Sequence, residues 1–252
     1  MENQKNNFKL RTDLAYDSVS LCSSKVINGL KETKINIENI EIIKHEVTSA
    51  ASEILSKAVG LYYTIDLSKH NYHDHRVSNK IENSVSYVLK EMLKNRNLLG
   101  KKALIVGLGN ANITPDAVGP YVVDNIVVTR HLDVNDELSN GYSVVSAISP
   151  GVMGTTGIET YDIIEAVRNK IDIDYIIVVD ALASSSIARV NKTIQITDAG
   201  IAPGSGVGNN REALNQQHLK IPVIAIGVPT IVDASTIVSD TFEYIKQHFS
   251  YQ

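Results

Sequence analysis

The chain carries a single cysteine, Cys22, in 252 residues. No internal disulfide can form, which fits a reducing compartment, and no local motif marks this thiol as a nucleophile. No uninterrupted apolar run approaches the length that spans a bilayer, and the opening MENQKNNFKL lacks the apolar centre of a signal peptide. A cytoplasmic protein with no membrane partner is the expectation. An excess of positive charge is also missing, since 24 Lys and Arg face 28 Asp and Glu for a net charge of −4. Without a basic stripe or interleaved basic and aromatic residues, direct nucleic-acid binding is not expected. No G-K-[ST] follows a glycine loop, and no G-x-S-x-G elbow presents Ser184, Ser185 or Ser186. A P-loop and a serine-hydrolase elbow are thereby excluded. Internal repeats and low-complexity segments are absent as well.

What remains is an ordinary globular composition, 43% hydrophobic and 21% charged. Residues 1–20 are polar and irregular and read as an arm rather than as core. Segments 35–48 and 61–67 alternate or run apolar as strands do, with a short helix or turn at 50–57 between them. A helix is expected over 76–95, with Ile81, Val85, Val88, Leu89 and Met92 on one face. From Lys101 onward the pattern becomes strand, loop, helix, repeated. Strands are expected at 103–107, 143–148, 175–179, 193–197 and 223–227, several of them continuous Val/Ile runs suited to a sheet buried on both faces. Helices are expected at 115–130, 157–170 and 231–249, two of them with capping-box spacing, Thr156 with Glu159 and Thr230 with Asp233. The predicted architecture is one α/β domain in three layers, a mostly parallel central sheet flanked by helices, with a small strand-bearing subregion at 35–67.

Two acids stand where such a fold places chemistry. Asp116, in ALIVGLGNANITPDAVGP, follows a strand and falls in the first turn of a helix opened by Thr114 and Pro115. Asp180 ends the apolar strand of YIIVVDALASSS. Either acid alone is commonly a cap or a turn former. Together, at the carboxyl ends of parallel strands, they lie where open α/β sheets bind ligands. Held close, one carboxylate can act as base while the other keeps a proton. The same pair suits a divalent metal, and spacing does not separate the two readings. Two glycine loops share that edge: SPGVMGTTGIET with Gly151 and Gly154, and DAGIAPGSGVGNNR with Gly204, Gly206 and Gly208 before Arg211. Their amides can hold an oxyanion or an extended peptide, or the loops can be plain connectors.

A dinucleotide fingerprint fails at its third glycine, where Asn112 stands, and Asp133 lies in a polar region rather than at a strand end. His70, His73 and His75, near Asp74, match no zinc spacing and read as a solvated loop.

With these residues in view, the chain resembles the germination protease family of endospore-forming bacteria. The motifs that carry it run in order: RTDLA at 11–15, GLGNANITPDAVGP at 107–120, PGVMGTTGIET at 150–160, VVDALA at 178–183, PGSGVGNNR at 203–211 and PVIAIGVPTIVDASTI at 222–237. The resemblance implies an endopeptidase that degrades small acid-soluble spore proteins in the germinating spore, made as a tetrameric zymogen that removes its own N-terminal arm. It implies catalytic roles for Asp116 and Asp180, and the backbone amides of the two glycine loops make Gly151, Gly154, Gly204 and Gly206 the expected substrate contacts. It also implies a fold similar to the hydrogenase-maturation endopeptidases, whose corresponding acids bind a metal; no other cofactor is implied. Family substrates are cut after an acid in the form Thr-Glu-apolar-Ala, so RTDLA implies a cut between Asp13 and Leu14 that separates an arm, residues 1–13, from a domain, residues 14–252. Two departures accompany the match: Tyr16-Asp17 replaces a small apolar residue and Glu, and family members usually continue past the position of Gln252. A catalytically silent relative that keeps the fold and binds spore components is the alternative.

Overall fold

The computed structural model describes residues 11–22, 26–71, 74–134, 138–139, 141–202 and 212–249. Helix α1 (Ala15–Leu21) precedes strands β1 (Leu30–Ile37) and β2 (Ile40–Val47). Helix α2 (Ser49–Leu55), strand β3 (Gly60–Asp66) and the long helix α3 (His75–Asn95) follow. Next come β4 (Ala103–Gly107), a 3-10 turn at Thr114–Asp116, α4 (Val118–Asn125) and α5 (Arg130–Val134). Strand β5 (Val145–Ile148), α6 (Met153–Thr156) and α7 (Thr160–Lys170) lead into the long β6 (Tyr175–Ser184). A second 3-10 turn, Ile187–Arg189, precedes β7 (Thr193–Thr197), and α8 (Gln216–Leu219), β8 (Val223–Val232) and α9 (Ala234–Phe249) complete the described chain.

One eight-stranded sheet runs in the order β1-β2-β3-β7-β8-β6-β4-β5. Its ladders are parallel only where helices cross over, in β8-β6-β4-β5. The other four pairings are antiparallel. The sheet is therefore mixed rather than mostly parallel: a two-residue turn imposes antiparallel pairing on β1 and β2, and β3 and β7 also pair antiparallel with their neighbours. Segment 35–48 is not one strand. It folds back at Glu38 and Asn39, whose φ values of 51° and 73° give the left-handed pair of a tight hairpin turn. The strand-bearing subregion at 35–67 belongs to the same sheet, since Tyr62 to Asp66 pair with β7.

Alternation divides the core between two faces. On one, α3 lays Val88 and Met92 against Ile42, Tyr63, Ile65 and Ile196. On the other, Leu104, Val106, Ile176 and Val178 meet Ile164 of α7 and Leu219 of α8, while α1 and α2 cover Val47 and Tyr62. Each isoleucine or leucine so buried contributes roughly 1.5–3 kcal/mol before chain entropy is subtracted. Residues 14–20 are thus not arm: Leu14 and Ala15 are fully buried, and the polar sequence around them hides a short amphipathic turn.

Three helix starts shift. The expected helix at 115–130 breaks into the 3-10 turn, α4 and α5. Thr156 does not cap α7; its hydroxyl donates to Val152 and Ile158 carbonyls while Gly157, at φ 72°, ends α6. Thr230 remains in β8, and Asp233 instead caps α9 by accepting from the Ser235 amide at 3.2 Å.

His45 is buried on β2, its Nε2 3.1 Å from Glu32. Burial holds its pKa below the ordinary value of 6.5, against an opposing pull from Glu32. The native state therefore prefers the neutral ring. Its contribution to stability is complete above about pH 6.5 and is lost as pH falls through the lower folded value. Urea melts at pH 7 and pH 5 should show a decline in stability that His45→Leu flattens. Parallel declines in both proteins would remove His45 from this role.

Candidate active site at the carboxyl edge of the parallel strands

Strand β6 outlasts its neighbour. Its pairing with β4 ends at Gly107 opposite Val179, and β6 then continues through Asp180 to Ser184 alongside β8. Asp180 therefore lies within the strand, not at its end, and is the first residue beyond the rim of β4. It is 7% exposed, and its Oδ1 accepts from the Ala181 amide at 2.9 Å.

Asp116 reaches the same edge from β4. The turn that carries it is pinned on three sides. The Asn110 amide donates to its Oδ2 at 2.8 Å, its own amide donates to the Ile113 carbonyl at 2.8 Å, and the Thr230 hydroxyl of β8 donates to the Pro115 carbonyl at 2.6 Å. Gly109, at φ 109°, lets the chain pass the Asp116 carbonyl, where any Cβ would collide. Gly119 performs the same service for α4. A Cβ there would meet the backbone of Leu108 and the carbonyl of Val179, the residue before Asp180. Backbone packing against backbone thus fixes the 3-10 turn over the ends of β6 and β8. Two carboxylates at such an edge are of the kind that can act as base and acid toward a water and a leaving amine, or as oxygen ligands for a divalent ion. Among the described residues no three potential metal-ligating side chains cluster.

The loop of Gly151 and Gly154 follows β5 at this same edge, where the Ser149 hydroxyl donates to the Gly107 carbonyl at 3.3 Å. Gly151, at φ 75°, opens the loop after β5, and Gly154 lies in α6 with open space about it. Gly204 and Gly206 lie outside the described residues, as do His73 and Arg211. His70 pairs with the Asn39 carbonyl, and Asp74 caps α3. Ser184 and Ser185 are buried as donors to Asp17. No helix among the described residues is long and apolar enough to cross a membrane.

The segment bearing Asp13 and Leu14 is not a loose arm. The Asp13 amide donates to the Ala183 carbonyl at 2.9 Å, and the Ala183 amide returns a bond to Asp13 Oδ2 at 2.8 Å. Gln195 reads the following backbone: its Oε1 accepts from the Ala15 amide at 2.7 Å, and its Nε2 donates to the Asp13 carbonyl at 3.4 Å. Lys57 Nζ donates to the Thr12 carbonyl at 2.9 Å. Burial lowers the Lys57 pKa below its ordinary 10.5, while the Asp13 and Asp17 carboxylates pull it back up. Beneath the segment is a cavity of about 240 Å³ whose walls include Asp13, Lys57, Leu182, Gln195 and Gly227. Gly227 is the register partner of Asp180, one strand spacing of about 4.8 Å away. A side chain at 227 would run into Leu182 and close this end of the cavity.

Asp17 fastens the segment from the other side. Its carboxylate, 2% exposed, takes Arg189 Nε at 2.7 Å, the Thr12 hydroxyl at 2.8 Å, the Ser185 amide at 2.8 Å and the Ser184 hydroxyl at 2.9 Å. The Arg189 guanidinium also stacks over Tyr16, 4.0 Å from its ring centre. Lys57, Gln195, Asp17 and Arg189 escaped sequence reasoning. The one available signal was Gln195 itself, a long amide between Thr193 and Thr197 on one face of β7.

A family model described as germination protease matches residues 13–252. The germination protease of Bacillus cytotoxicus is 45% identical over 253 residues, covering 96% of this chain and 68% of that protein. That of Bacillus pumilus is 42% identical over 264 residues, covering 99% and 71%. That of a Geobacillus species is 42% identical over 255 residues, covering 96% and 68%. With a family model spanning nearly the whole chain and relatives this similar, the chain belongs to the germination protease family, a family of peptidases.

Proposed function

We propose that the chain is an endopeptidase of spore germination that degrades small acid-soluble spore proteins, cutting after an acidic residue. The observation that carries this reading is the convergence of Asp116 and Asp180 on one edge of the sheet, in a chain of this family. One carboxylate takes a proton from water as its oxygen attacks the peptide carbonyl. The other gives a proton to the departing amine as the C–N bond breaks. The parallel half of the sheet, with an acid beyond the end of β4 and another in β6, supports the likeness to hydrogenase-maturation endopeptidases. On that likeness, the two carboxylates are the oxygen donors a divalent ion would use here. Gly151, Gly154, Gly204 and Gly206 are proposed as substrate contacts. The protein works as a homotetramer in the spore core, without membrane or direct nucleic-acid partners.

The test is incubation with an acid-soluble spore protein and mass spectrometry of the fragments, with and without a chelator. Cleavage after acidic residues is the expected result, and intact substrate under both conditions would favour a silent, spore-binding relative. The chelator arm reads the role of metal.

The zymogen reading divides the chain into an arm, 1–13, and a domain, 14–252, separated by self-cleavage between Asp13 and Leu14. Because Leu14 is fully buried and Asp13 is tied to Ala183, the segment must lift before the bond can be cut. Sequencing after incubation near pH 5–6, a range set roughly by carboxylates that share a proton, should show a new terminus at Leu14. Asp116→Asn should retain Met1. Equal processing of that variant would assign the cut to another protease.

A further inference from the structure

The contacts around Thr12 and Asp13 are those of a bound peptide. The backbone, which bends at Asp13, is read at one carbonyl by Lys57, at an amide by Ala183 and at the next carbonyl by Gln195, while the acid side chain accepts from the Ala183 amide. Each partner belongs to the main fold rather than to the segment. Main-chain pairing of this kind holds any sequence, and the pockets beside it choose among side chains. The choice made here is for negative charge. Lys57 places an ammonium at the same cavity wall as the Asp13 carboxylate, and the cavity runs on to Gly227 beside Asp180.

We propose that Lys57, Ala183 and Gln195 form a recognition subsite for a peptide segment bearing an acidic residue, filled in this chain by its own Thr12–Asp13. The proposal rests on the reading of the chain as a peptidase and adds which residues recognise the acid. It also gives the N-terminal cut a second consequence. A break between Asp13 and Leu14 frees Thr12 and Asp13 to depart, while Ala15 stays hydrogen-bonded to Gln195. The vacated places are those of the residues on the amino side of the broken bond. The partially desolvated state of Lys57 fits this use. Its depressed pKa arises from burial, and the carboxylates of Asp13 and Asp17 offset it, so an incoming acid restores a favourable neighbour that departure of Asp13 removes.

Binding tests the subsite without hydrolysis. Two labelled peptides, Arg-Thr-Asp-Leu-Ala and Arg-Thr-Asn-Leu-Ala, are titrated by fluorescence anisotropy into the full chain carrying Asp13→Ala and Asp116→Asn. The first change withdraws the internal competitor's acid and the second prevents turnover. The aspartyl peptide should bind at least tenfold more tightly than the asparaginyl one, and at least tenfold more weakly when Asp13 is left in place. Lys57→Met should abolish the preference, and Lys57→Arg should retain it, which separates charge recognition from mere support of the fold. Equal affinity for the two peptides, or a preference that survives Lys57→Met, overturns the subsite. Loss of hydrolysis in the wild-type chain would count against the peptidase reading alone.

Discussion

Asp180→Asn is expected to lower the turnover of an acid-soluble spore protein by roughly 10²–10⁴-fold, the range for removing a positioned acid or base. The replacement is nearly isosteric, and its amide carbonyl can still accept from the Ala181 amide that now meets Oδ1 at 2.9 Å. The melting temperature should therefore move little. Asp116→Asn should behave alike, because an amide oxygen can keep the Asn110 amide that Oδ2 now holds at 2.8 Å. If the two acids act as one unit, the double variant will be hardly slower than either single one. A multiplicative loss would mean that they act independently. Near-normal rates in both single variants would end the assignment. If chelation abolishes activity and one divalent ion restores it, the carboxylates are ligands, and the asparagine variants should then require far more of that ion.

Asp17→Ala should destabilise the protein by about 2–4 kcal/mol, among the larger effects of a single polar replacement. Four donors converge on this carboxylate: Arg189, Thr12, Ser184 and the Ser185 amide. Deleting the acceptor strands Arg189 and the Ser185 amide, while the Ser184 and Thr12 hydroxyls keep the Ser186 and Ala183 carbonyls at 3.1 and 3.4 Å; the cost of leaving buried donors unmet exceeds the net worth of the bonds themselves. The figure sits below the usual range for a broken buried pair because the Arg189 side chain is 21% exposed and retains some water. Denaturant melts at neutral pH measure the loss. A double-mutant cycle with Arg189→Ala should show that the pair is coupled by more than 1 kcal/mol, as expected for residues in direct contact. A loss below about 0.5 kcal/mol would show that α1 is held by Leu14 and Ala15 burial alone.

How much of this could be read in advance depended on whether a feature was local. The apolar run of β4 and the alternating TIQIT of β7 gave their bounds, and the apolar face of α3 was legible from its repeat. Asp116 and Asp180 could be brought to one edge on paper because strand ends follow from chain direction once two strands are parallel. Strand direction itself is not local. Nothing in TIQIT tells that β7 enters antiparallel between β3 and β8, and the parallel expectation failed there. The hairpin was hidden because Glu38, an unusual residue for a left-handed turn, stands in place of the glycine or asparagine that announces one. The N-terminal segment misled for a related reason. Its polar residues look solvated, yet Asp17 is buried by partners more than 160 positions away. Lys57 and Gln195 belong to no motif, and only the folded chain sets them around one peptide.

The bond between the Ala183 amide and the Asp13 carboxylate joins residues 170 positions apart, and that between the Ala15 amide and Gln195 spans 180. During synthesis, α1 leaves the ribosome long before β6 and β7 exist to receive it. At roughly 5–20 residues per second, the interval is on the order of ten to thirty seconds. Closing so long a loop adds only slowly to the entropic cost, so the delay burdens timing far more than stability. For that interval the Asp13–Leu14 bond is as open to attack as any in a nascent chain, and docking is the event that ends its vulnerability.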